Sequence, residues 1–303
     1  MSIGYACLAV GVPSTDFKSC IAKNASETKL LSLIAHNLNS LEQIIDYNIA
    51  NKILLFRISS NLIPFGSSPI NRLPWWDVFA SKFLSLGEKI KKGAIRVSMH
   101  PGQYTILNSP HEDVVNRALE DLNYHCRVLD MLGVGMENKI VLHVGGSYND
   151  KKQATKRFIT NYQRLDQAVQ ERLVLENDDK SYNISEVMEI AKILHLPVIF
   201  DNLHHLTNPC TIQRSDLYWI DACGKTWGKK DGCQKIHYSQ QNPGKKPGAH
   251  SDSIRIKEFM EFYKKIKSKD IDIMLEVKDK NLSAIKCINC TSSERVIKDL
   301  ENE

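Results

Sequence analysis

Seven short segments of this 303-residue chain carry side chains that bind divalent metals, most of them at the end of an apolar run. The segments read RVSMH, VLHVGG, LVLEND, VIFDNLHH, KIHYS, PGAHSD and IMLEVKD. Imidazole and carboxylate ligands without a thiolate favour Zn²⁺ or Mn²⁺ over softer metals. The candidate ligands are His100, His143, Glu176, Asp201, His204, His237, His250 and Glu276.

Eight ligands are more than one ion takes, so the pattern predicts two or three metal ions that share bridging carboxylates. Glu176 is the natural candidate for a bridge. Closely spaced ions suit the cleavage of phosphodiesters, because they activate a water molecule as the nucleophile and neutralise the leaving oxygen. His205, next to a candidate ligand, is expected to support the site or the fold rather than to bind metal. The remaining histidines fall in or beside predicted helices, where we expect structural roles: His36, His111, His125 and His195.

The elements that must hold these ligands alternate along the chain. Eight segments are continuous apolar runs, which is typical of parallel strands buried on both faces. They are Ile3–Leu8, Ile53–Ile58, Ile95–His100, Lys139–Val144, Leu173–Glu176, Val198–Asp201, Lys235–Ser239 and Ile271–Val277. Because the residues that carry out chemistry follow the strands in barrels of this kind, we expect the ligands to meet at one end of the fold.

Amphipathic helices are predicted between these strands, and Ser26 is suited to cap the first of them. The predicted helices are Ser26–Ala50, Trp75–Lys91, Glu112–Leu132, Thr155–Gln170, Ser185–His195, Arg214–Ala222, Ser253–Lys267 and Ser283–Leu300. Eight strands alternating with eight helices, without a linker, predict a single (β/α)8 TIM barrel over residues 1–303. The metal site is expected at the C-terminal ends of its strands.

The composition is that of an ordinary globular protein, with 42% hydrophobic and 25% charged residues. The net charge of +5 is compatible with a polyanionic partner without requiring one. Most of the eight cysteines are scattered singly, and Cys287 and Cys290 have no second pair at zinc-finger spacing. Because the chain lacks a signal-peptide pattern and an apolar stretch of membrane-spanning length, we expect a cytoplasmic protein without a membrane partner.

Taken together and in order, the motifs of this chain resemble those of the UV damage endonuclease family. They are Tyr5, the run SMHPGQY at 98–104, and HVGG, LEND, DNLHH, KIHYS, AHSD and LEVKDK. The resemblance implies a TIM barrel akin to the endonuclease IV type of nuclease. It further implies incision of damaged double-stranded DNA on the 5′ side of cyclobutane pyrimidine dimers, 6-4 photoproducts and abasic sites, with divalent metals, typically manganese.

Matched motif by motif, the resemblance makes the eight candidate residues named above the metal ligands. Lys235 matches a lysine that lies beside the metals in the family and can be carboxylated to N6-carboxylysine. Such a carbamate would turn a cation into an anionic oxygen ligand, whereas an unmodified Lys235 would contact the scissile phosphate. Together with Glu176 and His237, Lys235 is expected to take part in catalysis.

The resemblance also implies residues that contact DNA. Gln103 and Tyr104 match the family's probing pair, and a planar ring beside an amide can fill the gap left by flipped bases. Tyr5 matches a second aromatic residue near the lesion pocket, and Trp227, in a loop rich in glycine, is a further candidate for stacking. The basic residues expected to follow the phosphate backbone are Arg57, Lys229, Lys230, Lys245 and Lys246.

Two positions depart from the family's pattern. Ser68 stands where the family usually has a histidine, and Ala9 stands where it tends to have an asparagine. The first change implies weaker retention of metal or an altered lesion preference, and the second implies a missing hydrogen bond to the DNA. Neither change removes a candidate ligand, so we expect activity and leave the range of substrates open.

Three other functions fit parts of the pattern. A nuclease of the endonuclease IV type, acting on abasic sites, would use the same metal chemistry. A sugar isomerase on a related barrel would use similar ligands, but the AHSD and MHPGQY loops do not suit it. A damage-binding protein without catalysis would have little use for eight ligands. Gln103, Tyr104 and Lys235 favour the photolesion endonuclease, which we expect to be a monomer because it must embrace bent DNA.

Overall fold

In a computed structural model of the chain, eight parallel strands form a closed barrel. The structure describes the backbone of residues 1–300 and the side chains of residues 1–292. Each strand pairs with the next one along the chain, and the last pairs with the first. With helices between the strands, this is the predicted (β/α)8 TIM barrel.

All eight strands overlap the predicted segments. They are β1 (Ile3–Ala6), β2 (Leu55–Ile58), β3 (Arg96–Met99), β4 (Ile140–His143), β5 (Leu173–Glu176), β6 (Val198–Asp201), β7 (Gln234–Tyr238) and β8 (Ile271–Leu275). Several end earlier than the apolar run that predicted them. In β1 the cause is Cys7, whose φ of 72° turns the chain out of the extended conformation.

The helices surround the barrel, and within the described residues none is long and apolar enough to cross a membrane. They are α1 (Glu27–Ala50), α2 (Trp75–Val78), α3 (Ala80–Lys92), α4 (Glu112–Met131), α5 (Lys151–Tyr162), α6 (Gln167–Arg172), α7 (Ile184–Leu194), α8 (Asn202–Thr207), α9 (Asp216–Gly224), α10 (Ile256–Ile266) and α11 (Asn281–Leu300). Ser26 caps α1 as predicted, because its hydroxyl accepts from the backbone N–H of Lys29 at 3.3 Å. Two predicted helices are each divided in two, and α8 was not predicted.

Side chains that face the inside of the barrel are apolar at its middle. Ala6, Leu55 and Met274 form one small cluster that is separate from the main core between sheet and helices. Val141, Val174 and Ile199 form another. The polar ends of the strands therefore lie on either side of an apolar layer.

Charged side chains close the N-terminal end of the barrel. Arg96, the first residue of β3, pairs with Asp272 at 3.0 Å. Its guanidinium also donates to the backbone oxygens of Asp231 and Cys233, in the segment that leads into β7. The buried ammonium of Lys139, directly before β4, donates to the carboxylate of Asp231 at 2.5 Å. We call these paired residues, Arg96, Lys139, Asp231 and Asp272, the floor of the barrel. Because the floor closes the N-terminal end, the C-terminal end is the open one.

Three residues named above as candidates for contact with DNA lie at the closed, N-terminal end of the barrel. Lys229 and Lys230 lie in a 3-10 turn that ends at Asp231, so they stand at the opposite end of the barrel from the candidate ligands. Trp227 packs against the cluster of Val141, Val174 and Ile199. Its indole N–H donates to the backbone oxygen of Val198, the first residue of β6. Lys229 and Lys230 therefore do not share a face with the candidate ligands, because a loop that precedes a strand lies at the N-terminal end.

Candidate metal centre

Glu176, the last residue of β5, stands at the centre of a group of histidines. Its side chain is fully buried. One carboxylate oxygen, Oε2, lies 3.0 Å from Nε2 of His100 and 3.5 Å from Nε2 of His143. The other, Oε1, lies 2.7 Å from Nδ1 of His237 and 3.7 Å from Nδ1 of His204. The ends of four other strands or of the segments after them therefore converge on one carboxylate.

Three sets of side chains, each including Glu176, bring one potential ligand atom apiece within 4.8 Å of one another. The sets are His100 with His143 and Glu176, Glu176 with Asp201 and His204, and Glu176 with His237 and Glu276. Seven of the eight predicted ligands thus lie together at the open end of the barrel. Each set could hold one divalent ion, and Glu176 is the side chain that could bridge them.

Oδ2 of Asp201, a buried oxygen of a candidate ligand, has no hydrogen-bond partner. Buried polar atoms are nearly always bonded, so this oxygen needs a partner of another kind. A divalent cation satisfies such lone pairs, and the donor set of imidazole and carboxylate fits Mn²⁺ or Zn²⁺.

The short helix α8 explains how Asp201 and His204 come to lie side by side. Asp201 ends β6 and caps α8, because its Oδ1 accepts from the backbone N–H of His204 at 2.7 Å. Asn177, fully buried, fixes this corner by bonding both the backbone oxygen and the backbone N–H of Asp201. The backbone carbonyl of Asn177 accepts from Nδ1 of His204 at 2.9 Å. Sequence reasoning missed Asn177, although it follows Glu176 directly in the LEND motif.

The imidazole of His100 is oriented by its own backbone. Nδ1 lies 3.1 Å from the carbonyl oxygen of Pro101, which can only accept, so Nδ1 carries the proton. Nε2 faces Glu176 at 3.0 Å and is the ring nitrogen that could bind a metal.

The cluster holds Glu176 in its charged form. Burial disfavours the carboxylate, but the neighbouring histidines, above all His237 and His143, outweigh burial and hold the pKa of Glu176 well below its usual range. Burial lowers the pKa of His143 to about 4, so its imidazole is neutral at pH 7. A carboxylate and a neutral imidazole are the forms that bind metal.

His204 differs from His143 in charge. Burial disfavours its imidazolium, but the carboxylates of Asp201, Glu176 and Glu276 outweigh burial and raise the pKa of His204 to about 9. In the protein without metal, His204 is therefore protonated at neutral pH. A metal ion bound by this side chain would have to displace that proton.

Arg57 lies inside this cluster rather than on the DNA-facing surface. It follows Leu55 by two residues on β2, and its Nη1 lies 2.5 Å from Oε1 of Glu276. The two side chains are only 12% and 11% exposed. Burial disfavours both charges, but their pairing holds the pKa of Glu276 below its usual range. The guanidinium of Arg57 is therefore buried against a carboxylate, and its predicted contact with the phosphate backbone stays a prediction.

Lys235 is fully buried on β7, two residues before His237, and its Nζ has no hydrogen-bond partner. Burial holds the pKa of Lys235 well below its usual range, and the nearby guanidinium of Arg96 lowers it further. These surroundings favour the neutral, nucleophilic form of the amine.

Two predicted site residues lie apart from the cluster. His250 is half-buried in the loop after β7, where it pairs with Gln241 in an isolated bridge, and it belongs to none of the three metal-binding sets. Tyr5 is fully buried, and its hydroxyl donates to the side chain of Asn48 in α1 at 2.9 Å. The ring of Tyr5 points into the layer between sheet and helices and packs on Phe56, so its predicted contact with DNA gains no support and stays a prediction.

The loops around the open end carry the other predicted DNA contacts. Tyr104 is 80% exposed, and Gln103 beside it is exposed as well. Lys245 and Lys246 are exposed in the loop that follows β7. Ser68, one of the two departures from the family's pattern, is half-buried and accepts from the backbone N–H of Ile70 at 3.3 Å. Ala9, the other departure, is buried.

Comparison with known proteins relates the whole chain to one family. The profile of the UV-endonuclease UvdE family matches residues 2–302. The UV DNA damage endonuclease of Clostridium perfringens (strain 13 / Type A) is 45% identical over 291 residues, which cover 95% of this chain and 70% of that protein. The crystal structure of SacUVDE matches with a TM-score of 0.90 at 38% identity and covers 99% of both chains. Endonuclease IV from Thermus thermophilus, at 13% identity and a TM-score of 0.55 over 91% of this chain and 92% of that one, shares the fold alone.

Proposed function

The chain belongs to the UV-endonuclease UvdE family, and from that membership we propose that it incises double-stranded DNA immediately 5′ to UV photolesions. Its substrates are cyclobutane pyrimidine dimers and 6-4 photoproducts, with abasic sites as a further substrate. The observation that carries the proposal is the convergence of three potential metal-binding sets on Glu176 at the open end of the barrel. A DNA substrate implies that the protein works inside the cell, and we expect it to act as a monomer.

Two or three divalent ions, most suitably Mn²⁺, would be held by the cluster around Glu176, with Zn²⁺ as the alternative. When bound, such ions supply an activated water molecule and neutralise the leaving oxygen of the phosphodiester. Glu176 would bridge them, and the loop that carries His250 would bring the eighth ligand. Arg57 keeps the carboxylate of Glu276 ionised and fixed, so this ligand is ready before metal arrives.

Lys235 would serve the centre in one of two ways. Its buried, unpaired Nζ and lowered pKa favour a neutral amine, which can add carbon dioxide to give N6-carboxylysine and so provide an anionic oxygen. Without that modification, Lys235 would contact the scissile phosphate. Intact mass under native conditions tells the two apart: an added mass of one carbon dioxide supports the carbamate, and the unmodified mass supports the phosphate contact.

Lesion recognition would rest on deformability instead of base sequence. A covalently joined dimer stacks poorly, so extruding it costs less than extruding intact bases. Gln103 and Tyr104 would enter the gap, which suits their exposure on the loop after β3. Lys245 and Lys246 would hold the phosphate backbone through contacts that weaken with salt.

A nicking assay tests the proposed function. A labelled duplex with one defined pyrimidine dimer is incubated with the protein and Mn²⁺, beside undamaged and abasic duplexes and a lane with EDTA. We expect a metal-dependent cut on the 5′ side of the dimer. Cutting of the abasic duplex alone would replace the proposal with an abasic-site nuclease of the endonuclease IV type. A metal-loaded protein that cuts none of the duplexes would overturn both.

A further inference from the structure

One face of α4 holds the loop after β3, which carries both His100 and Tyr104, and the neighbouring loop after β2. Asp121, Tyr124 and His125 stand at positions i, i+3 and i+4, which lie on the same side of a helix. Tyr124 and His125 are buried and bond the loop after β2, while Asp121 bonds the loop after β3. The three side chains therefore form an anchoring face, made of Asp121, Tyr124 and His125.

Ser60 links this face to the ligand His100. Its hydroxyl oxygen lies 2.8 Å from the carbonyl oxygen of His100 and 2.9 Å from Nε2 of His125. Nδ1 of His125 lies 2.6 Å from the carbonyl of Asp121, which can only accept, so Nδ1 carries the proton. The hydroxyl of Ser60 donates to the carbonyl of His100 and also lies within hydrogen-bond distance of His125, so it links the two residues.

The backbone that Ser60 contacts is the one that orients the His100 ring. Nδ1 of His100 donates to the carbonyl of Pro101, so the ring follows any shift of this dipeptide. Nε2 of His100 then lies 3.0 Å from Glu176. The backbone of Ser60 is itself fixed, because its carbonyl accepts from the Tyr124 hydroxyl at 2.9 Å. A continuous chain of hydrogen bonds therefore joins α4 to a metal ligand.

The second arm of the anchoring face reaches the probing residue. The hydroxyl of Thr105, next to Tyr104, donates to Oδ2 of Asp121 at 2.5 Å. Thr105 is buried, whereas Tyr104 is 80% exposed. A cavity of about 510 Å³, bordered by Ser60, Tyr104 and Asp121 among others, separates the two loops. Because packing does not fill this space, the bond between Thr105 and Asp121 helps to fix the base of the probing loop, beside the backbone bond from Thr105 to Gly102.

We propose that the anchoring face of α4 positions two parts of the machinery independently: His125 with Ser60 positions the metal ligand His100, and Asp121 with Thr105 positions Tyr104. The inference rests on the proposed function, since it takes His100 to bind metal and Tyr104 to probe DNA. It adds Ser60, Thr105, Asp121 and His125 as positioning residues, none of which touches the metal or the reacting atoms.

Substitution of Ser60 tests the first arm. Ser60→Ala removes the hydroxyl that fixes the His100 backbone, and we expect Mn²⁺ binding to weaken about 10-fold, at the lower end of what outer partners of metal ligands contribute. Isothermal titration of the metal-stripped protein measures this. Ser59→Ala is the matched control, since the neighbouring hydroxyl caps only the backbone of Asn61. Ser60→Thr keeps the hydroxyl, has the cavity to receive its methyl group, and should restore binding.

Substitution of Thr105 tests the second arm. Thr105→Val keeps the shape and removes the donor to Asp121, and we expect the preference for a dimer-containing duplex over an undamaged one to fall on the order of fivefold, as the loss of one hydrogen bond predicts. Fluorescence anisotropy in EDTA measures this preference without cleavage. Mn²⁺ affinity should stay unchanged in Thr105→Val, and lesion preference should stay unchanged in Ser60→Ala.

The outcomes separate this inference from the proposed function. A wild-type protein that binds no Mn²⁺ would refute the metal centre itself. If the wild-type protein binds Mn²⁺ and Ser60→Ala binds it equally tightly, the first arm is overturned. It is also overturned if Ser60→Thr binds Mn²⁺ as weakly as Ser60→Ala does. Equal losses of metal affinity and lesion preference in both variants would mean general destabilisation and would overturn the independence of the two arms.

Discussion

At the scale of single residues, Glu176 holds the key position, because four histidines approach its two oxygens. Among the described residues no lysine or arginine bonds this buried carboxylate directly; four imidazoles surround its oxygens, and Arg57 acts on it without a hydrogen bond. A buried charge is costly unless it is paired. Metal ions bound by Glu176 and the histidines would therefore balance its negative charge in place of the histidine protons.

Glu176→Gln should abolish cleavage of a dimer-containing duplex and spare lesion binding. The amide keeps the size of the side chain but removes the charge that all three metal-binding sets share. We expect activity to fall on the order of 10³-fold, because losing even one electrostatic stabiliser costs 10² to 10³ and this change weakens every metal-binding set. Nicking and anisotropy assays measure the two properties. Glu189→Gln, exposed on α7, is the control, and equal loss of cleavage and binding would make Glu176 structural.

The charge of His204 predicts a proton released on metal binding. Without metal its pKa is raised to about 9 from an ordinary 6.5, so the imidazolium loses a proton when a metal ligates it at pH 7. Mn²⁺ affinity should therefore rise with pH up to about 9 and then level off. Titration calorimetry in buffers of different ionisation enthalpy measures the proton count. Heats independent of the buffer would contradict the prediction.

The same raised pKa makes a prediction for the protein without metal. A group whose pKa is higher in the folded state stabilises the fold below its unfolded pKa and loses that contribution as the pH rises through the folded value. For His204 the window runs from 6.5 to about 9. Denaturant unfolding in EDTA should show stability falling across this window, and His204→Gln should flatten the fall. An equally steep fall in the variant would exclude His204 as the cause.

At the scale of elements, the sequence predicted the strands well because each is a continuous apolar run that the barrel buries on both faces. The six-residue α8 was missed, since a helix of this length shows no period and is held by the cap from Asp201. The motif predicts a DNA contact for Tyr5 because it gives the position of the residue along the strand. It does not show whether the side chain points into the barrel or toward the helices. Which side a strand residue takes depends on pairing with its neighbours, here on Gly4 and Ala6 turning inward.

Asn177 makes a prediction about the corner between β5 and β6. Its side chain satisfies both backbone groups of Asp201, and it is fully buried. Asn177→Ala should destabilise the protein by about 2–4 kcal/mol, because two hydrogen bonds are lost and their partners stay buried. Metal affinity should fall about 10-fold or more as Asp201 and His204 shift. Urea unfolding measures the stability and calorimetry measures the metal affinity, with Asn116→Ala, at an exposed position, as the control. An unchanged metal affinity would mean that Asn177 stabilises the fold without positioning the ligands.

At the scale of the whole molecule, the barrel has one closed and one open end. The floor of Arg96, Lys139, Asp231 and Asp272 fills the N-terminal end with paired charges, while the candidate ligands face the C-terminal end. The sequence could place the ligands, because the fold puts residues that follow strands at one end. The same rule places Lys229 and Lys230, which precede β7, at the opposite end from Lys245 and Lys246, which follow it, whereas net charge and composition alone do not separate the two pairs.

Those two lysine pairs give a matched test of which end binds DNA. Lys245 and Lys246 follow β7, whereas Lys229 and Lys230 precede it, and both pairs carry the same charge. Replacing both residues of the first pair with glutamine should lower affinity for any duplex and reduce the salt slope by about 2, because each phosphate that a lysine neutralises adds about 0.9 to that slope. The same change in the second pair should leave both nearly unaltered, because that end faces away from the proposed site. Anisotropy at several salt concentrations measures the slopes. Equal slopes for the two double variants would mean that the lysines act only through net charge, and a larger effect of the second pair would place the DNA at the floor of the barrel.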